Sequence, residues 1–591
     1  MRKLLFVFAS LALIPLGMLR AESETAPLKT IKPFTLDTVD GKKWSMTEHK
    51  QAKAFVFLFL GTECPVNNQY LPELVRLHNS YTPKGIVFAG INSNTHDSPT
   101  RILGHAKANG LTFPMLKDSG NVIADALEAK RTPEAFVVSP KGEVLYRGRI
   151  DDQIGIGYRR TAPTRRDLAE ALNDILGGKA VRVPQTEATG CIIARAIKPK
   201  ADGKITYTKH IASILQNRCQ ECHRTGQVGP MPLMSFEDAV SWSEMIAEVV
   251  KEGRMPPWHA DPKHGKFAND RSLPKEEREL LLGWIKDGCP KGDPKDAPPA
   301  KNWPDTTWGI GKPDVVFEMP RSFTVPADMP ANGIRYQYFV VPTNYEEDRW
   351  IQAAEARPGA REVVHHIIVY ILDKDALKGG RRPRIGPTAP GDGIGNGFLT
   401  SYAPGDSPLI LEPGQAKRLP KGALLLFQMH YTPDGVERVD RSSVAITFAK
   451  EKPKFEVRTR AIAQQLLFIP PGKEDYRAVA NGKFEQDVEL LTLFPHMHVR
   501  GKSFKYIAKY PNGKEEVLLD VPNFDFNWQS NYRLEKPLKL PKGTIIQCIA
   551  HYDNSAKNPN NPDPNKWVFW GDQTWEEMMI GFLDYALPLK E

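Results

Sequence analysis

The sequence predicts a multidomain chain of 591 residues, with an α/β domain followed by an all-α domain and then two all-β sandwich domains. Segment 28–180 alternates short apolar runs of strand type with helical patterns, which is typical of an α/β sheet. Segment 205–290 has helical spacing almost throughout. Beyond it, strand-like runs alternate with Pro/Gly turns, and the length of that region suits two sandwiches, 313–455 and 456–591.

Three further stretches precede or separate these domains. Residues 1–21 combine a basic start with an apolar run, which predicts a secretory signal peptide and a periplasmic or secreted protein. An uncleaved membrane anchor is the alternative, because the run is near the lower length limit for a membrane span. Residues 181–204 are predicted to be a linker that carries Cys191, and residues 291–312 a Pro-rich linker.

Charge and cysteine content narrow the classes of function. The net charge is +9, but basic and acidic residues are interleaved along the chain, which does not favour a nucleic-acid partner. The cysteines are too few for a disulfide scaffold in a chain of this length, so each needs its own interpretation. They are Cys64, Cys191, Cys219, Cys222, Cys289 and Cys548.

The stretch CQECH places Cys219, Cys222 and His223 in the spacing used for covalent attachment of haem c. Both thiols would form thioethers with the haem, and the histidine would bind its iron. The alternative is a redox-active or zinc-binding Cys-x-x-Cys pair, but a zinc site needs a second Cys/His pair at suitable spacing, which the neighbouring sequence lacks. Met255, in GRMPPWHAD, is the predicted second axial ligand. The alternative axial ligands are Met231, Met234 and His259. Residues 219–284 resemble a single-haem cytochrome c domain.

Cys64 follows the apolar run AFVFLFLGT and precedes a helical pattern. It is therefore predicted at a helix N-terminus, where a thiol becomes more acidic and more nucleophilic. Thr132 and Pro133 precede another strand-like run. On these residues, segment 28–180 resembles the thioredoxin fold, and within it the peroxiredoxin-like redoxins. The resemblance implies a cis-proline that faces the reactive cysteine.

The thiol segment also departs from these families. Asn67 stands where a thioredoxin has its second cysteine, and Thr62 is two residues before Cys64, whereas a peroxiredoxin has its threonine three residues before. Peroxidase activity is therefore left open. Cys191 is a candidate resolving partner or disulfide mate of Cys64, and the alternative is an inert thiol fold used for docking.

Histidines in three strand-like runs mark the β region: His365, His366, His430, His496 and His498. Residues i and i+2 of a strand point to the same face, so His496 and His498 are predicted to project together. The adjacent His365 and His366 need a bulge or a strand end to bind one metal jointly. Imidazole suits zinc, copper, iron and nickel, and a thioether ligand favours Cu(I).

Met578, with Met579 as its rival, is the candidate thioether ligand near the C-terminus. With it, this region resembles the type II copper monooxygenases, the family of peptidylglycine α-hydroxylating monooxygenase and dopamine β-hydroxylase. The resemblance covers about residues 313–591 and implies two copper ions, one in each sandwich. It assigns the first copper to His365, His366 and His430, and the second copper, which binds O₂, to His496, His498 and Met578.

This resemblance implies a monooxygenase that hydroxylates an aliphatic C–H bond, with electrons passing from the first copper to the second across a solvent gap. The chain's own haem would relay the electrons, and ascorbate or an external donor would be the reductant. Phe494, Ile580 and Phe582 stand where peptide-amidating members have Arg, Asn and Tyr. A small or apolar substrate is therefore predicted, and a peptidylglycine is not.

Two other functions stay open on the sequence alone. One is an electron-transfer or redox-sensing protein in which the copper domain does not hydroxylate. The other is a thiol oxidoreductase or peroxidase that acts through Cys64. A bridge between Cys289 and Cys548 is the remaining disulfide alternative.

Overall fold

A computed structural model describes residues 28–160, 162–303, 308–330, 333–375 and 397–589. Within these ranges the chain forms an N-terminal α/β domain, a helical segment and a long all-β region, in the predicted order. The predicted signal peptide, residues 1–21, lies outside the described residues. Across the described ranges, every helix is too short or too polar to cross a membrane.

The α/β domain and the linker after it contain the following elements: β1 Thr35–Thr38, β2 Lys43–Ser45, β3 Ala54–Phe59, α1 Pro65–Tyr81, β4 Ile86–Asn92, α2 Pro99–Ala108, β5 Met115–Lys117, α3 Val122–Leu127, β6 Arg131–Thr132, β7 Glu134–Val138, β8 Val144–Gly148, β9 Ile154–Gly155, β10 Tyr158–Arg159, α4 Asp167–Leu176 and β11 Cys191–Ile192. The helical segment contains α5 Ala212–Arg218, α6 Phe236–Ser241, α7 Ser243–Lys251 and α8 Lys275–Lys286.

The first half of the β region contains β12 Val315–Glu318, β13 Phe323–Val325, β14 Gln337–Pro342, β15 Arg349–Arg357, β16 Val364–Leu372, β17 Phe398–Tyr402, β18 Leu409–Ile410, β19 Gln415–Leu419, β20 Leu424–Tyr431, β21 Arg438–Asp440 and β22 Ser443–Phe448. The second half contains β23 Phe455–Ala463, β24 Phe468–Ile469, β25 Tyr476–Lys483, β26 Val488–His496, β27 Gly501–Lys509, β28 Glu515–Val521, β29 Tyr532–Leu540, β30 Ile545–Tyr552, β31 Val568–Phe569 and β32 Ile580–Pro588.

The sheet of the α/β domain has the strand order β2-β1-β5-β4-β3-β7-β8. Strand β3 reads AFVFLF and is buried on both faces, as expected for a strand between two layers of helices. Strands β3 and β4 are parallel, so the chain has to cross over between them, and α1 provides the crossover. Cys64 lies where this crossover begins, at the carboxyl end of a rigid central strand.

The helical segment packs against the α/β domain through residues of the predicted linker. Cys191 and Ile192 form β11, which pairs with β6 of the α/β domain. Both side chains also pack on the apolar core of the helical segment. Arg131 and Glu248 form an ion pair between the same two units, with Nη2 and Oε2 2.8 Å apart. The predicted linker 181–204 is therefore fixed here by pairing and packing on both sides.

One sheet runs through both predicted sandwiches. Its order is β12-β22-β15-β19-β23-β32-β26-β29, and β18 also pairs with β15. The two halves join at the parallel pair β19–β23, where Gln415 lies opposite Phe455. Each half keeps its own four-stranded partner sheet and its own apolar core. The predicted boundary between residues 455 and 456 thus falls inside β23, and the two halves are continuous through the sheet.

A buried ion pair crosses this junction. Nζ of Lys417, on β19, lies 3.3 Å from Oδ1 of Asp584, on β32, and both side chains are less than a tenth exposed. The ammonium also donates to Oγ1 of Thr459 at 2.8 Å and to two backbone carbonyls of β17. Asp584 accepts further hydrogen bonds from the hydroxyls of Thr459 and Thr492. Both charges are therefore fully surrounded by partners, as a buried pair requires.

We expect Asp584→Asn to lower the free energy of unfolding of the β region by about 3–5 kcal/mol, because it leaves the buried Lys417 ammonium without a counter-charge. Asp348→Asn is the control, because Asp348 pairs with Arg418 on the surface, where an ion pair contributes about 1 kcal/mol or less. Urea unfolding followed by tryptophan fluorescence measures both variants. Equal, small effects of the two substitutions would contradict the structural role of the buried pair.

Candidate thiol and metal sites

Cys64 is the N-cap residue of α1, and 1% of its surface is exposed. Its sulfur accepts hydrogen bonds from the backbone N–H groups of Asn67 and Cys191, at 3.5 and 3.3 Å. The thiol lies 2.9 Å from the carbonyl oxygen of Thr132. The peptide bond between Thr132 and Pro133 is cis, as the resemblance to the thioredoxin fold implies.

The pKa values of the two cysteines at this site are shifted in opposite directions. Burial alone would raise the pKa of Cys64, but hydrogen bonds from the Cys191 thiol and from the backbone N–H groups of Asn67 and Cys191 bring it to about 7. The hydrogen bond to Cys64 and burial raise the pKa of Cys191 well above its ordinary value. Near neutral pH the pair therefore presents one nucleophilic thiolate beside one thiol. Both sulfurs are unlinked in this structure.

Cys219, Cys222 and His223 follow α5 in a turn, in which the N–H of His223 donates to the carbonyl of Cys219 at 2.9 Å. Nδ1 of His223 lies 3.0 Å from the carbonyl oxygen of Met231. A carbonyl only accepts, so Nδ1 carries the proton and Nε2 is the free ligand atom. Cys222 also lines a cavity of about 850 Å³ between the helical segment and the β region. Two free thiols beside an imidazole oriented in this way fit the attachment of haem c.

Met255 lines a different cavity, of about 700 Å³, together with Trp258 and residues of α8. The structure therefore does not bring Met255 to the cavity that Cys222 lines. Of the alternative axial ligands, Met234 is 43% exposed, and Met231 offers its carbonyl to His223. Nε2 of His259 is buried and has no hydrogen-bond partner among the described residues. The second axial ligand stays a prediction.

A β-bulge brings the histidines of β16 together with the one on β20. The strand register shifts between Val364 and His366, which places His366 opposite His430 and leaves His365 as the extra residue. One ligand atom from each of these three histidines lies within 4.8 Å of the other two. This is the bulge that the sequence requires if two adjacent histidines are to bind one metal.

Hydrogen bonds orient these three rings around a common point. Tyr336 holds Nε2 of His366 at 3.0 Å, and Thr574 holds Nε2 of His430 at 3.3 Å. The Nδ1 atoms of His365 and His366 face each other at 3.1 Å. Nδ1 of His430 is buried and has no hydrogen-bond partner in the described part of the chain. A metal ion bound to the three nitrogens would satisfy all of them.

The second histidine pair lies at the end of β26. His496 ends the strand and His498 follows it, while Met497 between them packs into the sandwich core. Nδ1 of His496 lies 2.6 Å from Oε1 of Gln529, and Nδ1 of His498 lies 3.1 Å from the carbonyl oxygen of Glu576. Both oxygens are acceptors, so both Nδ1 atoms carry protons and both Nε2 atoms are left as ligand atoms.

Strand alternation distinguishes the two candidate methionines. Ile580 of β32 lies opposite His496, so Met578, two residues earlier, falls on that face and Met579 on the other. Met579 is fully buried in the main sandwich core, whereas Met578 belongs to a separate apolar cluster with Phe582. The Phe582 ring lies 6.3 Å from the His496 ring. This alternation favours Met578 as the thioether beside His496.

Phe526 connects the two histidine groups. Its ring stacks on His365, with centroids 4.8 Å apart and planes at 17°, and its centroid lies 6.3 Å from that of His498. The resemblance to copper monooxygenases implies a solvent gap between the two sites. In this structure, one aromatic ring instead contacts a histidine of each group.

Burial keeps all of these histidines neutral. It lowers the pKa of His365 and His496 to about 4 and that of His498 to about 3. The pKa values of His366 and His430 are well below the ordinary range, because both rings are buried beside other imidazoles. The neutral imidazole is the form that binds a metal, so at neutral pH no proton has to be displaced.

Several residues around the histidines were missed by sequence reasoning: Tyr336, Phe526, Gln529, Thr574 and Glu577. Glu577 shows why. Its buried carboxylate accepts hydrogen bonds from the backbone N–H groups of His498 and Arg500, at 2.9 and 2.7 Å. It thereby ties the histidine pair to the segment that carries Met578. These residues lie in no recognisable sequence pattern, apart from the position of Glu577 beside a methionine.

A separate group of possible metal ligands lies at the junction of the helical segment and the second sandwich. Asp261, His264 and Asp520 offer atoms within 4.8 Å of one another, and all three are partly exposed. Asp520 already pairs with Lys505 at 2.8 Å. The Lys505 ammonium therefore already neutralises one carboxylate of this group, which makes it a weaker candidate metal site than the three-histidine group.

The N-terminal part of the chain is similar to known proteins. Residues 27–147 match the AhpC/TSA family model. The thiol-disulfide oxidoreductase ResA of Halalkalibacterium halodurans is 24% identical over 112 residues, and that of Bacillus subtilis is 23% identical over 112 residues. Each alignment covers 19% of this chain, and 62% and 61% of the relatives. The chain thus spans less than two thirds of the length of these relatives.

The N-terminal unit is an AhpC/TSA-type thioredoxin-like domain. An uncharacterised conserved protein from Geobacillus kaustophilus is also similar, with 35% identity over 32% of this chain and 100% of that one, at a TM-score of 0.27. Within this AhpC/TSA-type domain, Cys64 has Asn67 at the position of a second thioredoxin cysteine. The neighbouring thiol comes instead from Cys191, beyond the matched residues.

We expect the thiolate of Cys64 to form with a midpoint at about pH 7, below the ordinary thiol value of about 8.5. The difference in ultraviolet thiolate absorbance between the wild type and Cys64→Ser measures it. Absorbance should rise with pH through this midpoint, because the thiolate is the form that accumulates. Cys191→Ala should move the midpoint to higher pH, since it removes a thiol donor, and Cys289→Ser should leave it unchanged. An unshifted midpoint in Cys191→Ala would contradict the pairing of the two thiols.

Proposed function

We propose that the AhpC/TSA-type domain catalyses thiol–disulfide exchange with Cys64 as the nucleophile and Cys191 as the resolving cysteine. The adjacency of these two thiols, one acidified and one protonated, carries the proposal. The similarity to ResA, named as a thiol-disulfide oxidoreductase, supports it. The substrate class is a disulfide, and peroxide reduction at Cys64 is the alternative chemistry.

In the reductive direction, the Cys64 thiolate attacks one sulfur of the substrate disulfide and releases the other as a thiolate, which leaves a mixed disulfide. Cys191 then loses its proton to the first substrate thiolate and attacks the Cys64 sulfur. The second substrate sulfur leaves as a thiolate, which takes its proton from solvent, and a Cys64–Cys191 disulfide remains. The substrate gains two electrons and the cysteine pair loses two, so an external dithiol is needed to reset the pair.

Mild oxidation of the full chain should link Cys64 to Cys191, which peptide mapping by mass spectrometry without reductant detects. Cys289 and Cys548 should stay unlinked, because they are buried in separate cores. Cys64→Ser should abolish reduction of a small disulfide by the chain in the presence of dithiothreitol, and Cys289→Ser should retain it. Unchanged peroxide consumption in Cys64→Ser would exclude the peroxidase alternative. Full disulfide reduction by Cys64→Ser would overturn the proposed exchange.

We propose a second function for the β region: an oxidoreductase with two copper sites, of the monooxygenase type that the sequence resembles. Two buried histidines and one partly buried histidine, with nitrogens that converge and with one buried nitrogen unpartnered among the described residues, are the observation that favours it. His365, His366 and His430 would hold one copper, and His496, His498 and Met578 the other. Bound copper would supply O₂ activation and electron storage, and so hydroxylation of an aliphatic C–H bond.

The chain's own residues would set the environment of this chemistry. Hydrogen bonds from His496 and His498 to Gln529 and Glu576 fix which ring nitrogens face the metal. The apolar cluster of Met578, Ile580 and Phe582, with Phe494 packed against it, lacks the charged donors that a substrate carboxylate needs. This supports a small or apolar substrate.

The same proposal gives the helical segment the role of electron carrier. Cys219 and Cys222 would tether a haem c, and Nε2 of His223 would bind its iron. Met255 is kept as the proposed second ligand, with His259 as its alternative. Ascorbate or an external donor would deliver electrons outside the cytoplasm, where the predicted signal peptide would direct the chain. An electron-transfer or redox-sensing protein without hydroxylation is the alternative function of this half.

Metal analysis and an optical spectrum of the purified full chain should give about two copper ions and one haem c. His430→Ala should lose one copper, because it removes a ligand of the three-histidine site. His551→Ala is the matched control, since that exposed histidine pairs with Asp475 away from both groups, and it should keep both ions. Zinc in place of copper would overturn the copper assignment. O₂ uptake without a hydroxylated product would favour the electron-transfer alternative.

A further inference from the structure

The loop Asp525–Gln529, between β28 and β29, touches both histidine groups although it belongs to neither. On one side, Oε1 of Gln529 accepts the hydrogen bond from Nδ1 of His496, at 2.6 Å. Gln529 is itself buried, with 6% of its surface exposed. This contact fixes the tautomer and the plane of the His496 ring, because a buried imidazole with one bonded nitrogen cannot rotate without losing that bond.

On the other side, the loop holds a histidine of the three-histidine group. The ring of Phe526 stacks on His365 at 4.8 Å, nearly parallel to it. His365 is the extra residue of the bulge in β16, so no residue of β20 lies directly opposite it. The stacking on Phe526 adds a contact on the loop side to the ring contacts of His365 with His366 and His430.

Hydrogen bonds within the loop make the two contacts interdependent. Nε2 of Gln529 donates to the carbonyl oxygen of Phe526 at 3.2 Å. The N–H of Asn527 donates to Oδ1 of Asp525 at 2.9 Å, and the N–H of Trp528 donates to the carbonyl of Asp525 at 3.0 Å. The amide of one glutamine therefore bonds both to His496 and to the residue that stacks on His365.

The loop is also attached to the AhpC/TSA-type domain. Nδ2 of Asn527 donates to the carbonyl oxygen of Gly157 at 2.8 Å. Trp528 lies against Gly405 of the first sandwich, at a point where a β-carbon on that glycine would come within 2.5 Å of the indole. The N-terminal domain and the first sandwich thus both contact this five-residue loop of the second sandwich.

We propose that Gln529 and Phe526 are positioning residues that set the geometry of the two metal sites together, through the loop 525–529. The inference rests on the proposed copper sites of the β region. Gln529 acts through His496 on the proposed site of His496, His498 and Met578, called the His–Met site, and Phe526 acts through His365 on the three-histidine site. A disturbance at one end of the loop reaches the other through the Gln529–Phe526 hydrogen bond.

Copper titration of the metal-free full chain tests the proposal, with the electron paramagnetic resonance spectrum of Cu(II) as a second readout. Gln529→Leu should weaken copper binding at the His–Met site by about 10–100-fold, as loss of a hydrogen-bond partner of a metal-bound histidine does. Gln529→Glu should recover most of that affinity, because a carboxylate also accepts the Nδ1–H bond. Phe526→Leu should change the spectrum of the three-histidine site.

Gln547→Leu is the matched control. Gln547 lies exposed on β30, where its amide bonds only to the side chain of Asn481 among the described residues, so its loss should leave both sites unchanged. If the wild type binds two copper ions and Gln529→Leu binds them with unaltered affinity and spectrum, the positioning role is overturned, while the proposed copper function stands. If the wild type binds no copper, the proposed copper function falls and the inference falls with it.

Discussion

The buried pair of Lys417 and Asp584 holds the two halves of the β region in one sheet, and the relation between the two histidine groups depends on that junction. Lys417 lies on β19 and Asp584 on β32, which is the direct neighbour of the strand that ends in His496. A buried ion pair is costly to form, and here hydroxyl and carbonyl partners offset that cost. The benefit is a fixed register, because neither charge can move without losing its partners.

Hydrogen bonds to oxygen acceptors orient three imidazoles of the chain in the same way. His223, His496 and His498 each donate from Nδ1 to a carbonyl or amide oxygen, which leaves Nε2 without a proton. The three-histidine group differs, since His366 and His430 are held at Nε2 and turn Nδ1 inward. Except for Met231, which is close to His223 in the chain, these partners are far from their histidines in the sequence, so the rings are oriented only in the folded chain.

The thiol site likewise depends on residues that are far apart in the sequence. The AhpC/TSA-type domain supplies the acidified Cys64, but its partner Cys191 comes from the segment that also packs on the helical unit. Pairing of β11 with β6 places the two sulfurs side by side. Any change in the oxidation of this pair therefore occurs at a contact between two units of the chain, where Arg131 and Glu248 also meet.

Hydrophobic periodicity is a local property, so the sequence predicts the order of an α/β, a helical and an all-β part. It also singled out Cys64, CQECH and the five histidines, since their residue types and local contexts are visible in the chain. It did not determine that one sheet joins the two sandwiches, because strand partners such as β19 and β23 are set by tertiary packing. The bulge at His365 and the contacts of Gln529 and Phe526 are likewise set by tertiary packing. Each depends on register or on residues far apart in sequence, which no local pattern encodes.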